Sequence, residues 1–329
     1  MTLKEIASNL KVSIGTVSKA LNGAFDVSEE TRKMIVAYCK EVGYKTKDER
    51  MTSKKRRRIC ILFDNMNPLN QSNVFYPLSS AFSNEASKNN CEVIIDSLSV
   101  KPEFFDFNEY MQDNKFDGAF IIGLNFESSI NKQLANSKYP LVLYDNTFIG
   151  DNVSTIGIDN LSTMSDMLNH LVSKGHRKIA LLNGEMASLV SSERLAGYII
   201  GLNKNGIPFN SEIVFHGDFT KMSGMQIAND IAKTDVTAVM CSSDLMAIGL
   251  IEGLNSLGKK VPEEISVTGF DDLDFAQHIH PALTTVKQDL ALMGKNAFEL
   301  INSLFANKKP QRITIKGEII IRDSVIDIK

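Results

Sequence analysis

Apolar positions follow a helical spacing up to Tyr44 and fall into short unbroken runs from Ile59 onward, a change of period that predicts two differently built regions. In the first, Leu3, Ile6, Ala7 and Leu10 mark one helix. Thr2 and Glu5 open it as a capping box, each side chain meeting the other's backbone NH. Lys11 and Val12 make a turn, Ser13 stands as N-cap, and Val17, Ala20 and Leu21 form the inward face of a second helix from Ile14 to Leu21. Its opposite face carries Ile14, Gly15, Ser18 and Lys19. A third helix is expected to open at Ser28, with Glu29 and Glu30 at its positive end, and to stop near Gly43. Two short helices joined by a tight turn and braced by a third form a helix-turn-helix whose second helix can enter a major groove. A plain three-helix bundle fits the same pattern.

From Ile59 the runs are Ile59–Phe63, Glu92–Ile95, Gly118–Ile122, Pro140–Tyr144, Lys178–Leu182, Thr237–Cys241 and Ile265–Phe270. Helix-length amphipathic segments such as Leu161–Lys174, Ser191–Asn205 and Leu245–Leu257 lie between most of them. Apolar strands alternating with helices predict parallel sheets covered on both faces. About 270 residues is a lot for one open sheet, so two Rossmann-like lobes are expected, with a ligand held at the carboxyl ends of their strands. The expected fold class is therefore α/β: an N-terminal three-helix helix-turn-helix head and a body of two Rossmann-like lobes with parallel sheets.

Charge sharpens this division. The 329 residues carry a formal charge of −3, yet residues 1–58 hold 14 Lys and Arg against 7 Asp and Glu, while the remainder holds 22 against 32. A head at +7 on a body at −10 predicts that the head meets a polyanion, with nucleic acid the obvious candidate. Thr16, Ser18 and Asn22 offer small hydroxyl and amide groups, as a helix pressed on phosphates and base edges needs. The four cysteines, Cys39, Cys60, Cys91 and Cys241, form no C-x-x-C pair and read as reduced, mostly buried thiols. No stretch approaches the ~18 apolar residues of a membrane span, and no apolar segment follows a basic start, so a cytoplasmic protein with no membrane partner is expected.

Other chemistry is weakly signalled. Gly253–Lys260 imitates a phosphate loop but lacks the final Ser or Thr and ends a helix, so Gly258 reads as a helix C-cap. His278 and His280 have no Cys nearby to complete a metal site, and the spacing of Asp271, Asp272 and Asp274 does not fit a calcium loop. Neither G-x-S-x-G nor G-x-G-x-x-G occurs. No enzyme activity, cofactor or metal is expected.

The stretches Thr2-Leu-Lys-Glu-Ile-Ala7, Val12-Ser-Ile-Gly-Thr-Val-Ser-Lys-Ala-Leu-Asn-Gly23, Val27-Ser-Glu-Glu-Thr-Arg32 and Gly43-Tyr44 resemble the head of the lactose/galactose repressor (LacI/GalR) family. The resemblance implies a bacterial transcription regulator, most often a repressor, that binds a palindromic operator in double-stranded DNA as a homodimer and answers to a small-molecule effector. It implies that Ile14, Gly15 and Lys19 face base edges, with Thr2, Ser13, Thr16, Ser18, Asn22, Ser28 and Thr31 near phosphates. Gly15 has no side chain, so direct readout falls on Lys19, toward guanine O6 and N7, and on an apolar contact from Ile14. Family members follow the Tyr with a hinge helix that wedges a Leu into the minor groove. Here Ser53 falls near that position, and Met51 is a substitute wedge two residues out of register. The alternative is an unfolded basic linker whose Lys54–Arg58 run tracks phosphates without sequence choice.

The likeness continues in order through the body. Phe75-Tyr76, Phe116-Asp117-Gly118, Ile158-Asp159-Asn160, Gly175-His-Arg-Lys-Ile179, Arg194-Leu-Ala-Gly-Tyr198, Gly217-Asp-Phe219, Ser243-Asp-Leu-Met-Ala-Ile-Gly249, Val261-Pro262, Gly269-Phe-Asp-Asp272 and Pro281-Ala-Leu-Thr-Thr285 resemble the family's effector-binding core, which is similar to periplasmic sugar-binding proteins. That likeness implies interlobe crossings near residues 157, 285 and 316. It divides the chain into a head (1–46), a basic linker or hinge (47–58) and an effector-binding domain (59–329), with lobe 1 near 59–157 and 286–316 and lobe 2 near 158–285 and 317–329. It makes Phe75 and Tyr76 stack on the effector, Asp145 close the end of its strand, and Ser188, Val190, Arg194, Phe219, Ser243 and Asp271 line the second lobe. Arg194 and Asp271 are expected to clamp adjacent hydroxyls of a ligand and to satisfy each other when it is absent. Ser188 stands where a purine-responsive relative has an Arg, which favours a neutral sugar or nucleoside over an anion.

Overall fold

The computed structural model describes residues 2–21, 24, 26–44, 56–64, 75–98, 105–148 and 150–328, which form two compact units that divide between Arg57 and Arg58. The first unit holds α1 (Leu3–Asn9), α2 (Ile14–Leu21) and α3 (Glu29–Glu41). Its core is Ile6, Val17 and Ile35, all fully buried, with Ala7, Ala20 and Cys39 small enough to let the three axes approach. Caps set the helix starts. The Glu5 NH donates to Thr2 Oγ1 at 3.3 Å and the Thr2 NH to Glu5 Oε2 at 2.8 Å, closing the capping box. The NH of Thr16 donates to Ser13 Oγ at 2.9 Å, and that of Thr31 to Ser28 Oγ at 3.3 Å.

The second unit has two sheets. In the first lobe run β1 (Arg57–Phe63), α4 (Phe75–Lys88), β2 (Cys91–Ser97), α5 (Phe107–Asp113), β3 (Gly118–Ile122), α6 (Asn131–Ala135), β4 (Leu141–Tyr144) and β5 (Val153–Ile158). The second lobe follows with α7 (Asn160–Ser173), β6 (Ile179–Asn183), α8 (Leu189–Lys204), β7 (Val214–His216), α9 (Lys221–Ile231), β8 (Ala238–Cys241), α10 (Asp244–Ser256) and β9 (Ser266–Thr268). Strand β10 (Thr285–Lys287) leads back to the first lobe, where α11 (Leu290–Phe305) and β11 (Arg312–Ile315) complete it, and β12 (Glu318–Ile320) leads out again. The later crossings pair with each other, β10 antiparallel to β12.

The first sheet has the order β2-β1-β3-β4-β5-β11 and the second β7-β6-β8-β9. Each therefore reverses direction of growth once, between β1 and β3 and between β6 and β8. Crevices open at the carboxyl ends of strands at such switch points, and ligands bind there in open α/β sheets. Strand β3 is buried along its whole length and β1 from Ile59 to Phe63, which is why both read as unbroken apolar runs. Successive side chains divide between faces: Phe120, Ile122, Val142 and Tyr144 join the core under α4 and α11, while Ala119, Ile121, Leu141 and Leu143 join the one under α5 and α6. Phe82 of α4 stacks on Phe120 at 4.9 Å, and burial of each such ring contributes about 1.5–3 kcal/mol.

Strand β1 begins at Arg57, two residues before the apolar run Ile59–Phe63 that announces it. Arg58 is not available to track phosphates: its backbone NH donates to Asp117 Oδ2 at 2.8 Å, its Nε lies 3.2 Å from Glu92, and its guanidinium covers the Phe116 ring at 5.3 Å. Ser53, Met51 and the Lys54–Lys55 pair lie outside the described residues, as does Asn22. Helices α9 and α10 touch backbone to backbone at Gly224 and Gly249, where a Cβ would overlap the carbonyls of Met246 and Lys221. The last residues return to the second lobe: Ser324 Oγ donates to the Val267 carbonyl at 2.6 Å and accepts from the Thr284 NH at 2.8 Å, and the Ile328 NH donates to the Lys174 carbonyl at 2.8 Å.

Candidate functional site

The head presents one face of α2. Val17 and Ala20 point into the core, so helical geometry turns Ser13, Ile14, Gly15 and Lys19 outward, and Ile14 is 48% exposed. Among the described residues Ile14 is the one large apolar side chain on a face otherwise made of hydroxyls, glycine and a cation. Ser13 Oγ and Thr16 Oγ1 lie 2.8 Å apart, and Ser28 Oγ and Thr31 Oγ1 2.7 Å, which places the hydroxyls of two helix N-termini in pairs beside unbonded NH groups. Lys19 Nζ bonds to the carboxylate of Asp26, in the turn before α3, and holds that carboxyl below its usual range. Both members of this pair are exposed, so water competes for them and the pair holds the ammonium weakly.

In the body the polar residues converge on Arg194, which projects from α8 and is only 4% exposed. Its Nε donates to Asn160 Oδ1 at 2.9 Å, its Nη1 to the Ser242 carbonyl, and its plane lies over the Phe270 ring at 3.6 Å. Asn160 in turn donates to Glu193 Oε2 at 2.9 Å. The chain thus fixes the guanidinium from the start of α7, the end of β8 and the end of β9 at once. Asn183 at the end of β6 ties this floor together, donating to the Ser191 carbonyl at 3.0 Å and accepting from Ser242 Oγ at 2.9 Å.

Two carboxylates face the guanidinium from opposite lobes. Asp145, in left-handed conformation at φ 47°, ends β4 and accepts from the Ile158 NH at 3.1 Å. Gly157 opposite it is required, because a Cβ there would overlap the Asp145 carboxylate. Asp271, at φ 123°, follows β9 and accepts from Gln288 Nε2 at 2.8 Å, while Gln288 Oε1 accepts from the Tyr144 hydroxyl at 3.0 Å. Tyr144, Gln288 and Asp271 so form a chain from one lobe to the other. Arg194 and Asp271 share no hydrogen bond, contrary to expectation: the guanidinium donates to Asn160 and Ser242, and the carboxylate accepts from Gln288. They interact through charge. Burial raises both carboxyls, Asp145 to about 6, and Arg194 opposes the shift in each case.

That shift has a measurable sign. A carboxyl raised in the folded chain adds stability that is complete below its unfolded pKa, about 3.9, and lost as pH rises through its folded value, here about 6. Asp145→Asn keeps the shape and removes the titration. Without ligand, its melting temperature should match wild type near pH ~4 and exceed it near pH ~8. A difference that stays constant across this range would show that Asp145 does not titrate as its surroundings demand.

The other expected effector residues divide. Phe75 meets the Tyr144 ring edge-on at 6.1 Å, while Tyr76 is 45% exposed. Ser188 occupies the N-cap of α8 but makes no capping bond, and Val190 is half-buried in the first turn. Phe219, at φ 65°, lays its ring on Gly184, where no side chain could fit. Ser243 is committed: its Oγ caps α10 by accepting from the Met246 NH at 3.2 Å. Asp244 is committed too, bonded to the Thr285 hydroxyl and to the Leu273 NH at 2.8 Å, so it holds the crossing strand β10. Sequence reasoning missed Asn160, Asn183, Ser242, Phe270 and Gln288. The available signal was a polar residue at the carboxyl end of an apolar run, as at Asn183 and Ser242.

Residues 2–47 match the bacterial regulatory proteins of the lacI family, and residues 168–325 match a periplasmic binding protein-like domain. The transcriptional repressor CytR of Escherichia coli is 31% identical over 310 residues, covering 91% of this chain and 88% of its own. The structure of the regulator CelR in complex with cellobiose superposes with a TM-score of 0.75 at 26% identity, covering 98% of this chain and 99% of that one. The lac repressor dimer bound to operator and an anti-inducer superposes at 0.70 with 25% identity, covering 99% of both. Among the described residues no helix is long and apolar enough to cross a membrane. The chain belongs to the LacI family of bacterial regulatory proteins, and is a DNA-binding transcriptional regulator, not an enzyme.

Proposed function

We propose that the chain is a cytoplasmic repressor that grips a palindromic operator as a homodimer and loosens or tightens that grip when a neutral sugar or nucleoside enters the body. The observation that carries the effector class is the buried guanidinium of Arg194 facing Asp145 and Asp271 across the lobes. One fixed cation between two carboxylates suits a ligand rich in hydroxyls, which donate to carboxylates and accept from the guanidinium. It disfavours an anion. Phe75, Tyr76, Ser188, Val190 and Phe219 supply the surrounding walls, and Ser243 shapes the floor through its backbone. The proposed division is a head over 1–46, a connecting stretch to 58 and an effector domain over 59–329. The CelR structure holds cellobiose, which supports the sugar reading.

The ligand acts by differential affinity. It bridges the lobes, favours their closed arrangement, and thereby changes how the first lobes of two subunits sit and how far apart their heads stand. A thermal-shift screen of neutral sugars and nucleosides on the full chain tests this. A compound that raises the melting temperature should also change operator affinity by about 5–150-fold, the usual span of such coupling. Stabilisation with no change in DNA affinity would reject the switch.

On the DNA side, Ile14, Gly15 and Lys19 are the proposed base-facing set, and Thr2, Ser13, Thr16, Ser18, Asn22, Ser28 and Thr31 the phosphate-facing set. Lys19→Ala should cost about 1–3 kcal/mol of operator binding and relax preference at one base pair per half-site. Affinities measured across a panel of single-base operator variants check it. An unchanged ranking of variants would remove Lys19 from readout.

A further inference from the structure

One carboxylate stands where a cationic head has reason to avoid it. Asp26, exposed between α2 and α3, is bonded to Lys19, the cation of the proposed base-facing set. A negative charge there repels phosphates and weakens the hold on DNA of any sequence. Its place is nonetheless fixed. The Ala24 NH donates to the Lys19 carbonyl at 3.0 Å, the Arg32 guanidinium of α3 donates to the Ala24 carbonyl, and Ser28 caps α3 two residues after Asp26. The carboxylate is thus tied to both helices from either side. In water the exposed pair is weak, but in a groove that displaces water the same two charges attract more strongly.

The pair matches one feature of the major groove. An ammonium and a carboxylate one hydrogen bond apart present a donor beside an acceptor. Guanine O6 and the N4 amino group of its paired cytosine present an acceptor beside a donor, themselves joined by a hydrogen bond of about 2.9 Å. Laid over that edge, the ammonium donates to guanine and the carboxylate accepts the N4 hydrogen that base pairing leaves free. Turning the base pair round sets N4–H against the ammonium and O6 against the carboxylate, two repulsions in place of two bonds. A T·A pair offers the same acceptor and donor but no N7 beside the acceptor, so it ranks between. Resting on the placement of Lys19 at base edges, we propose that Asp26 is a further specificity-determining residue: it reads cytosine N4 while Lys19 reads the paired guanine, and together they fix the direction of one G·C pair in each half-site.

The test uses the full chain, first to select from duplexes randomised over two half-sites and then to measure binding to the enriched site. Wild type should enrich a G·C pair in one direction, and should bind about fivefold more weakly or worse when 2-pyrimidinone, which lacks the 4-amino group, replaces its cytosine. Asp26→Ala should be indifferent to that replacement. It should also hold unrelated DNA more tightly than wild type, because a negative charge has left the face, whereas a purely structural defect weakens both kinds of binding. Asp26→Asn, which keeps an acceptor without the charge, should retain part of the dependence on N4. Melting temperatures verify that the variants fold. An enriched site with no directed G·C pair, or a pyrimidinone penalty of equal size in wild type and Asp26→Ala, overturns the proposal. Lys19→Ala separates the two readings. If it ranks operator variants as wild type does while the penalty still vanishes in Asp26→Ala, Lys19 leaves the readout and Asp26 stays. If it changes the ranking while the penalty survives in Asp26→Ala, Lys19 stays and Asp26 leaves.

Discussion

Arg194→Ala should abolish ligand-dependent stabilisation of the body and cost about 3–5 kcal/mol of its folding free energy near neutral pH, the usual consequence of deleting one member of a buried charged set. Three losses add. The Asn160 amide and the Ser242 carbonyl lose a charged donor, the Phe270 face loses its cation, and Asp145 and Asp271 lose the guanidinium that offsets their burial. The last loss depends on pH. Both carboxyls already titrate above their usual range, and they escape an uncompensated charge by taking up protons. The destabilisation should therefore be smaller at pH ~6 than at pH ~8. Arg194→Lys should fall in between, since an ammonium restores charge but not the planar fork or its stacking. Urea denaturation at the two pH values and a thermal shift with any effector decide the matter. Retained stabilisation by the effector would take Arg194 out of the site, and a pH-independent loss would take the two carboxylates out of the account.

The second large effect lies away from the cleft. Gly249→Val in α10 should destabilise the second lobe by about 3 kcal/mol or more, at or above the upper end of ordinary overpacking, because what it meets cannot move aside. Its new Cβ would occupy the place of the Lys221 carbonyl, at the first turn of α9, and Gly224 makes the reciprocal contact with Met246. Flexible side chains relax and backbone in a packed helix does not. The helices would have to separate, opening the core formed by Ala228, Ile231, Met246, Leu250 and Leu254. Because one separation accommodates both positions, the double change Gly224→Ala with Gly249→Ala should cost less than the sum of the single changes. Additive costs would mean that each glycine is confined by its own surroundings and that no shared seam exists.

Where local chemistry decides, residues announce the structure. The head is legible because Thr2 with Glu5, Ser13 and Ser28 mark helix starts from within one turn, and because Val17 and Ala20 carry the period of a buried face. Strands β1 and β3 are legible because burial on both faces leaves no polar position to confuse them. Strand β5 is fully buried yet does not read as a strand, since Ser154, Thr155 and Gly157 interrupt it. Two of these interruptions have a distant cause: Ser154 Oγ accepts from the Gln311 NH at 3.1 Å, and Gly157 makes room for Asp145. The half-exposed β11 and β12 carry too little apolar pattern to stand out. In the cleft, Arg194 and Asp271 are visible only through family likeness, and of their partners only Ser242 carries a local signal, as a polar residue ending an apolar run. Asn160 follows the first crossing, Ser242 follows β8 and Gln288 follows β10, and no spacing rule connects them.

The return of the chain's end to the second lobe bears on how the protein is made. The six-stranded sheet lacks β11 until residue 315 is available, and the second sheet lacks the clasp of Ser324 on Val267 and Thr284 for longer still. The head, by contrast, draws its whole core from Ile6 to Cys39. On the ribosome, then, the part that meets DNA matures first, and neither half of the sensor is finished until residues 312–328 have been made. A nascent chain has a folded head before it has a sensor.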